Sequence, residues 1–238
     1  MFKNLFRRFG GMDYAVHEEK FFQNIVGYPD LKKLFMKSVI AKDPVHILLT
    51  GPPASSKSLF LLQLLEGLDK AYFIDAVSAS GPGMMEYMFS NDVKYLLIDE
   101  IDKMKKNDQA ALLNVMETGI LSETKLQGKT RLKKIDLWIF ATSNTIERLC
   151  IPLRSRFMEL YLNEYSYEEF IEICRRLLNT KYRLPMDVSD RISYLVWNRM
   201  KSKDVRDVLK IGKLAKDMSD VDWLVDIQIK YGKYKKYQ

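Results

Sequence analysis

Five short apolar runs most constrain how this chain can fold. They span residues 45–50, 71–76, 94–100, 136–144 and 157–162. Apolar runs of this length, bounded by turn-forming or polar residues, are typical of strands buried on both faces of a sheet. Segments with apolar residues at helical spacing separate most of them. Strands that alternate with helices predict an α/β sandwich, with a five-stranded parallel sheet between two layers of helices.

The pattern changes after residue 165, where no further strand-like run occurs. Ser166 and Glu169 form a capping-box sequence, which predicts the start of a helix. Further helical runs follow near 187–200, 203–217 and 220–231, with Asp187, Ser202 and Ser219 as the expected N-caps. We therefore expect an N-terminal arm (1–20), an α/β core (21–165), an all-α second domain (166–232) and a basic tail (233–238).

Composition indicates a folded, cytoplasmic protein. Hydrophobic residues make up 47% of the 238 residues, which argues against disorder, and no apolar run is long enough to span a bilayer. The N-terminal MFKNLFRRFG lacks the apolar segment that a signal peptide needs. Cys150 and Cys174 fit no metal spacing and are most simply free thiols in a reducing compartment. The formal net charge of +7 mildly favours polyanionic partners.

The segment GPPASSKS follows one predicted strand and precedes a predicted helix. In this context the turn and the helix N-terminus direct backbone N–H groups toward phosphate oxygens. We expect Lys57 to reach the β- and γ-phosphates of a nucleotide and the Ser58 hydroxyl to coordinate magnesium. The nucleotide-binding residues would be Gly51, Pro52, Pro53, Ala54, Ser55, Ser56, Lys57, Ser58 and Leu59.

Ser56 departs from the usual pattern of phosphate-binding loops, which has glycine immediately before the lysine. Glycine readily adopts backbone dihedrals that strain a serine, and it leaves room for the phosphate. Serine is nevertheless small enough to fit this position. The alternative interpretation of the segment is a surface turn that happens to contain Lys-Ser.

Two adjacent carboxylates end the third predicted strand, in the sequence YLLIDE. Asp99 can hold Mg²⁺ through water, and Glu100 can polarise the water that attacks the γ-phosphate. Asn144, which ends the next strand-like run, can orient that water, although a polar strand cap explains it equally well. A strand that ends in exposed acids is common by itself. Such a strand is uncommon at this place in the chain, one helix and one strand after a phosphate loop. Together these residues predict binding of ATP with Mg²⁺ and its hydrolysis.

Three arginines are further candidates. Arg154 and Arg156 lie in PLRSRF, just before the fifth run, and Arg206 lies near the start of a helix in the second domain. An arginine placed at a γ-phosphate stabilises charge in the transition state of hydrolysis. The alternatives are surface ion pairs for the first two residues and an ordinary helix-surface position for Arg206.

Together these motifs resemble those of AAA+ ATPases over residues 21–217. The resemblance implies a Walker A loop at 51–58, a Walker B strand at 95–100 and sensor 1 at Asn144. In IVGY (25–28), it implies that Ile25 and Val26 contact adenine. It also makes Arg154 or Arg156 the arginine finger, which acts on a neighbouring subunit's nucleotide, and Arg206 the sensor 2 of a helical lid. The assembly that it implies is a hexameric ring of identical subunits.

Within that family the sequence is most similar to RuvB-type branch-migration motors, in SASGPG (78–83), IDEIDKM (98–104) and PLRSRF (152–157). The similarity implies a ring-forming DNA helicase or translocase. We expect no counterpart of the winged-helix DNA-binding domain that follows the lid in RuvB proteins. The similarity to RuvB proteins also includes a hairpin inserted before sensor 1, and MoxR and MCM proteins share that hairpin. A MoxR-like or chaperone-like remodeller of proteins is therefore the alternative, and a regulatory ATP switch is a third.

A basic hairpin is predicted at residues 120–134, with its turn at residues 126–128. The basic residues that crowd it are Lys125, Lys129, Arg131, Lys133 and Lys134. Basic hairpin tips suit a phosphate backbone, so DNA is an expected partner. A solvated hairpin explains the same residues equally well, and a protein partner is also compatible with them.

Overall fold

The computed structural model describes residues 21–23, 25–124 and 130–232. The predicted arm, the basic tail and the hairpin turn, with Lys125 and Lys129, lie outside these residues. The chain divides into two compact units. The first contains most of the chain up to Leu162, and the second contains the chain from Asn163 onward with the short segments Asn24–Gly27 and Pro52–Ser55.

Five parallel strands form the sheet of the first unit. Numbered along the chain, they are β1 (Ile47–Thr50), β2 (Ala71–Asp75), β3 (Tyr95–Asp99), β6 (Trp138–Ser143) and β7 (Met158–Tyr161). They lie side by side in the order β2-β3-β6-β1-β7. All five predicted runs are strands of this sheet, which confirms the predicted α/β architecture. Because the strands are parallel, their carboxyl ends lie at one edge of the sheet.

The helices of the first unit lie between these strands. They are α1 (Pro29–Val39), α2 (Lys57–Gly67), α3 (Gly81–Ser90), α4 (Lys106–Thr118) and the single turn α5 (Ile151–Arg154). A short 3-10 turn, Ile101–Lys103, directly follows β3. None of the helices in the described part of the chain is long and apolar enough to cross a membrane.

Helices cover both faces of the sheet. Alternate residues of each strand point to opposite sides, and because the strands are apolar on both sides, each face needs a layer of helices to bury it. On one face, the ring of Phe35 from α1 stacks on that of Phe60 from α2 and meets Phe140 of β6 edge-on. The other face packs against methionines of α3 and Leu112 of α4. Its buried strand residues include Leu48, Leu96, Ile98, Ile139 and Ala141.

Strands β4 (Ile120–Thr124) and β5 (Thr130–Lys134) form a separate antiparallel hairpin. Arg131, one of its predicted basic residues, pairs with Glu86 of α3 and Glu123 of β4, each at 2.5 Å. These two ion pairs raise the pKa of the Arg131 guanidinium further above its already high ordinary value. The charge of Arg131 is therefore balanced within the chain.

Lys133 is also bound within the chain. Its Nζ donates hydrogen bonds to the carbonyl oxygens of Met88 at 2.8 Å and Asn91 at 2.5 Å, at the carboxyl end of α3. A cation there satisfies helix carbonyls that have no partner inside the helix. Lys133 and Arg131 thus fasten the hairpin to α3.

Four helices make up most of the second unit: α6 (Tyr167–Tyr182), α7 (Met186–Asn198), α8 (Val205–Gly212) and α9 (Met218–Tyr231). The capping box of Ser166 and Glu169 is present as predicted. The other three predicted N-caps are wrong. Asp204 caps α8, where its carboxylate accepts the backbone N–H of Arg206, and Asp217 caps α9, where its carboxylate accepts the backbone N–H of Asp220. Helix α7 begins directly after Pro185, so that Asp187 lies within its first turn.

Candidate active site

The phosphate-loop segment begins where β1 ends. Gly51 has a φ of 141°, and a Cβ there would lie 2.2 Å from the carbonyl oxygen of Leu162, so only glycine fits. Ala54 and Ser56 are in the left-handed region, with φ of 66° and 64°. Turns that contain left-handed residues direct backbone N–H groups into a common concavity that binds anions. The local backbone therefore has the character expected of a phosphate loop.

Ser56 occupies the position at which such loops ordinarily have glycine, immediately before α2. Its φ of 64° and ψ of 3° lie in the left-handed region. A non-glycine residue there is strained by about 1–2 kcal/mol, because its Cβ approaches the following carbonyl oxygen. Serine fits the position, but with a conformational strain that glycine would not have.

Lys57 and Ser58 are the first residues of α2. Lys57 is buried, and its Nζ donates a hydrogen bond to the Gly51 carbonyl oxygen at 2.9 Å. Ser58 Oγ donates to Asp99 Oδ1, also at 2.9 Å. The hydroxyl and the carboxylate that the sequence suggests as metal ligands thus lie side by side. Both are oxygen donors of the kind that Mg²⁺ prefers.

Asp99 and Glu100 lie at the carboxyl end of β3, beside Thr142 of β6. Thr142 Oγ1 donates to the Asp99 carboxylate and accepts the backbone N–H of Glu100 at 3.0 Å. Glu100 leaves the strand in a left-handed conformation, with a φ of 52°. Asn144 Nδ2 donates to Glu100 Oε1 at 3.3 Å. The structure therefore brings Asp99, Glu100 and Asn144 together.

Asp102 also belongs to this cluster. It is buried in the 3-10 turn after β3, and its Oδ1 lies 3.1 Å from Ser143 Oγ and 3.2 Å from the backbone nitrogen of Asn144. Its Oδ2 pairs with Lys103 Nζ at 2.7 Å. Burial disfavours the charged carboxylate, but the hydrogen bonds from Lys103, Asn144 and Ser143 outweigh it. The pKa of Asp102 accordingly lies below its ordinary value.

Thr142 and Asp102 were not among the candidates from sequence. Each nevertheless leaves a signal in the sequence. Thr142 is a polar residue within the apolar run WIFATSN, and Asp102 is an acid two residues beyond the Asp-Glu pair. Both positions are buried, and a buried polar side chain needs a hydrogen-bond partner.

The two candidate arginine fingers form ion pairs within the chain. Arg154 Nε lies 2.6 Å from Glu159 of β7, and Arg156 pairs with Glu117 at the end of α4. Their side chains are 41% and 49% exposed. These are the ion pairs that the sequence left open as the alternative. Exposed pairs of this kind exchange readily for other partners.

Three further candidates belong to the second unit. Arg206 lies in the first turn of α8 with its side chain 71% exposed, and its Nε is 3.3 Å from Asp204 Oδ1. Ile25 is buried and Val26 is half-buried. The role of these three residues toward a nucleotide stays a prediction.

Three solved structures of RuvB mutants from Thermotoga maritima share this fold. Their TM-scores are 0.65, 0.65 and 0.64, at sequence identities of 18%, 18% and 20%. The matches cover 86%, 85% and 87% of this chain, and 70%, 70% and 72% of the RuvB chains. At this identity the likeness shows a shared fold.

A search of curated protein sequences gives no significant match. The sequence profile of the ATPase family associated with various cellular activities (AAA) matches residues 47–165, which is half of the chain. The match includes the phosphate loop, the Asp99–Glu100 pair and Asn144, whose geometry is described above. This chain is therefore a member of the AAA family of ATPases.

Proposed function

We propose that this protein binds Mg²⁺-ATP and hydrolyses it at the cluster of Lys57, Ser58, Asp99, Glu100 and Asn144. One observation carries the proposal. Hydrogen bonds join Ser58 to Asp99 and Asn144 to Glu100, and so bring the ends of three separate segments into one place. Membership of a family of ATPases supports the same conclusion.

Ser58 and Asp99 would hold the metal ion, because their oxygens already lie together at the mouth of the phosphate loop. When bound, Mg²⁺ neutralises charge on the phosphates. Lys57 would exchange its hydrogen bond with the Gly51 carbonyl for the β- and γ-phosphate oxygens. The N–H groups of the loop from Gly51 to Leu59 would bind the remaining phosphate oxygens.

Glu100 would accept a proton from the attacking water, and Asn144 would orient that water and the carboxylate. We further propose that Ile25 and Val26 contact the adenine and that Arg206 contacts the phosphates. These last assignments rest on the resemblance to AAA+ proteins.

Glu100→Gln tests the hydrolytic role. The amide cannot accept the proton, so turnover should fall by about 100-fold or more, while ATP binding is kept. Phosphate release and titration with a fluorescent nucleotide would measure the two quantities. Glu66→Gln, an exposed change on α2, is the control and should leave both unchanged. Hydrolysis by Glu100→Gln at the wild-type rate would remove Glu100 from this role.

We also propose that the protein works as a hexameric ring in which Arg154 or Arg156 completes the site of the neighbouring subunit. Both residues lie on the short segment between β6 and β7, and both are about half exposed. Their support is this exposure together with the AAA family membership. A free arginine at the γ-phosphate would stabilise charge that develops during hydrolysis.

DNA is the substrate that we propose for such a ring, as a helicase or translocase of RuvB type. Lys134 is exposed on the hairpin and available for a phosphate backbone. Arg131 pairs with acids of α3 and β4, and Lys133 donates to carbonyl oxygens of α3. The described part of the hairpin therefore offers fewer cations to DNA than its sequence suggests.

Remodelling of proteins, as in MoxR-like or chaperone-like members, is the second candidate. The observation that favours it is the apolar surface of the hairpin. Leu132 is 69% exposed and Ile120 is 39% exposed. Exposed apolar side chains of this kind contact protein more readily than a phosphate backbone.

ATPase rates measured with single-stranded, double-stranded and branched DNA, at two salt concentrations, would separate the candidates. A DNA motor should be stimulated by DNA, and the stimulation should weaken with salt, because neutralised phosphates release counterions. Lys134→Ser should reduce that stimulation, whereas the neighbouring change Leu132→Ser should not. A remodeller of proteins should instead be stimulated by an unfolded protein and should not respond to DNA. Leu132→Ser should lose that stimulation. A rate that responds to neither would favour a regulatory ATP switch.

A further inference from the structure

The position of Glu100 depends on the end of β6. Its carboxylate accepts a hydrogen bond from the Asn144 side chain, and its backbone N–H donates to Thr142 Oγ1. Both partners lie at or just beyond the last residues of β6. Whatever fixes this strand end also fixes the amide that contacts the Glu100 carboxylate.

Asp102 fixes that strand end. Its side chain has no exposed surface, and one carboxylate oxygen accepts the Asn144 backbone N–H at 3.2 Å and lies 3.1 Å from Ser143 Oγ. The other oxygen is paired with Lys103 at 2.7 Å. A buried carboxylate with partners on both oxygens has a single orientation, which it passes on to the backbone that it binds.

We infer that Asp102 is a positioning residue for ATP hydrolysis, which holds the Asn144 backbone so that the Asn144 amide orients Glu100. The three residues are linked in both directions. Asp102 follows Glu100 by two residues in the chain and accepts the Asn144 backbone N–H, and the Asn144 side chain in turn donates to Glu100. The inference rests on the proposed ATPase function. It gives Asp102 no contact with the nucleotide or the metal ion.

Asp108 serves as the comparison for Asp102. It is a half-buried aspartate that supports the fold and lies outside the proposed site. Its Oδ2 accepts the backbone N–H of Gly81 at 3.2 Å, which is the same kind of bond at the same length as that between Asp102 and Asn144. Asp108 binds the first turn of α3, whereas Asp102 binds the end of β6. Loss of either aspartate removes one carboxylate–backbone hydrogen bond, and loss of Asp102 also removes its contacts with Lys103 and Ser143. Turnover of the two variants is therefore compared at a temperature at which urea denaturation shows both to be fully folded, so that a difference in kcat reports position and not stability.

The experiment compares Asp102→Ala, Asp102→Asn and Asp108→Ala with the wild-type chain. We expect Asp102→Ala to lower kcat about 10- to 100-fold, because a small displacement of a catalytic group has an effect of this size. The KM for ATP and the affinity for ADP should change less than about twofold, since the phosphate loop is untouched. Asp102→Asn keeps an oxygen acceptor for the Asn144 N–H and should recover part of kcat. Asp108→Ala should keep the wild-type kcat.

The same changes made in an Asn144→Ala background test whether Asp102 acts through Asn144. Without the amide to orient, removal of the Asp102 carboxylate should change kcat less than about twofold. Equal losses in both backgrounds, or an unchanged kcat in Asp102→Ala, would overturn the inference. If Asp102→Ala does not fold, Asp102→Asn replaces it in the same comparison. A wild-type chain without ATP turnover would instead overturn the proposed function, and this inference with it.

Discussion

Among single residues, Ser56 offers a direct test of strain in the phosphate loop. Its left-handed backbone strains a non-glycine residue by about 1–2 kcal/mol, whereas glycine destabilises the fold by roughly 0.5–1 kcal/mol through the greater freedom of the unfolded chain. The first effect is the larger. We therefore expect Ser56→Gly to raise the free energy of unfolding by about 0.5–1 kcal/mol in urea denaturation.

Ser55→Gly is the matched control for this change. Ser55 is buried, its hydroxyl donates to the Pro52 carbonyl at 2.8 Å, and it is not among the residues with positive φ. Glycine there should lower the stability, because it removes a contact and relieves no strain. If Ser56→Gly destabilised the protein as much as Ser55→Gly, Ser56 would not be strained in solution.

His46, immediately before β1, should make stability depend on pH. Its Nδ1 accepts the backbone N–H of Ile139 at 3.2 Å, and burial lowers its pKa from 6.5 to about 4. As pH falls below 6.5, the unfolded chain takes up a proton that the folded chain takes up only near pH 4. This group should therefore reduce the free energy of unfolding by roughly 3 kcal/mol as the pH falls through that window, and the reduction should level off below it, where the folded chain is protonated too.

Denaturation of the wild type and of His46→Gln at several pH values would measure this contribution. Carboxylates also titrate below pH 6.5, but they are common to both proteins and cancel in the difference. The stability of His46→Gln should fall less steeply between pH 6.5 and pH 4. Identical slopes in the two proteins would mean that His46 is protonated as easily in the folded chain as in the unfolded one.

The candidate site residues that could be predicted from the sequence are those that belong to continuous motifs. Lys57 and Ser58 follow a strand and a turn, and Asp99 ends a strand, so their surroundings are set by neighbours in the sequence. Thr142 and Asp102 could not be assigned, because each acts across strands. Thr142 is 43 residues from Asp99, and Asp102 is 42 residues from Asn144.

At the scale of secondary-structure elements, the attachment of the hairpin to α3 can be tested through Lys133. Lys133→Met keeps most of the side-chain length but removes the charged donor to the carbonyls at the end of α3. We expect it to lower the free energy of unfolding by about 1–2 kcal/mol in urea denaturation. Lys134→Met, the adjacent exposed position, should change it by less than about 0.5 kcal/mol. Equal effects would mean that Lys133 contributes nothing as a helix cap.

The strands were predictable as elements, because short apolar runs fit a sheet that is buried on both faces, and β1 and β6 are buried throughout. The charges of the hairpin show why other features were not. A basic run shows where cations lie along the chain and not which acids they meet. Arg131 meets Glu86, which is 45 residues away. The predicted helix starts were wrong for a local reason, since an aspartate two residues from Ser202 and another two residues from Ser219 are the N-caps.

At the scale of the whole molecule, the intrachain pairs of Arg154 and Arg156 bear on assembly. Exposed ion pairs contribute about 0–1 kcal/mol, because water competes for both charges. An arginine finger accelerates hydrolysis by about 10³-fold or more, which corresponds to roughly 4 kcal/mol of transition-state stabilisation. Loss of an ion pair with an acid such as Glu117 therefore costs less than an arginine finger contributes in the transition state, and the pairs do not argue against a role between subunits.

Mixing two variants tests whether the site is shared between subunits, as we propose. We expect Glu100→Gln and Arg156→Ala each to be inactive alone, because the first keeps the arginines but lacks the proposed base and the second keeps Glu100 but lacks one of the two proposed fingers. In a ring of head-to-tail contacts, a 1:1 mixture would place an intact site against an intact arginine at about a quarter of the interfaces. We expect ATP turnover to recover to about that fraction of wild type when the two are mixed and reassembled. Recovery with Arg154→Ala in place of Arg156→Ala would identify Arg154 as the finger. No recovery with either arginine variant would place the arginine and Glu100 of each site in the same subunit.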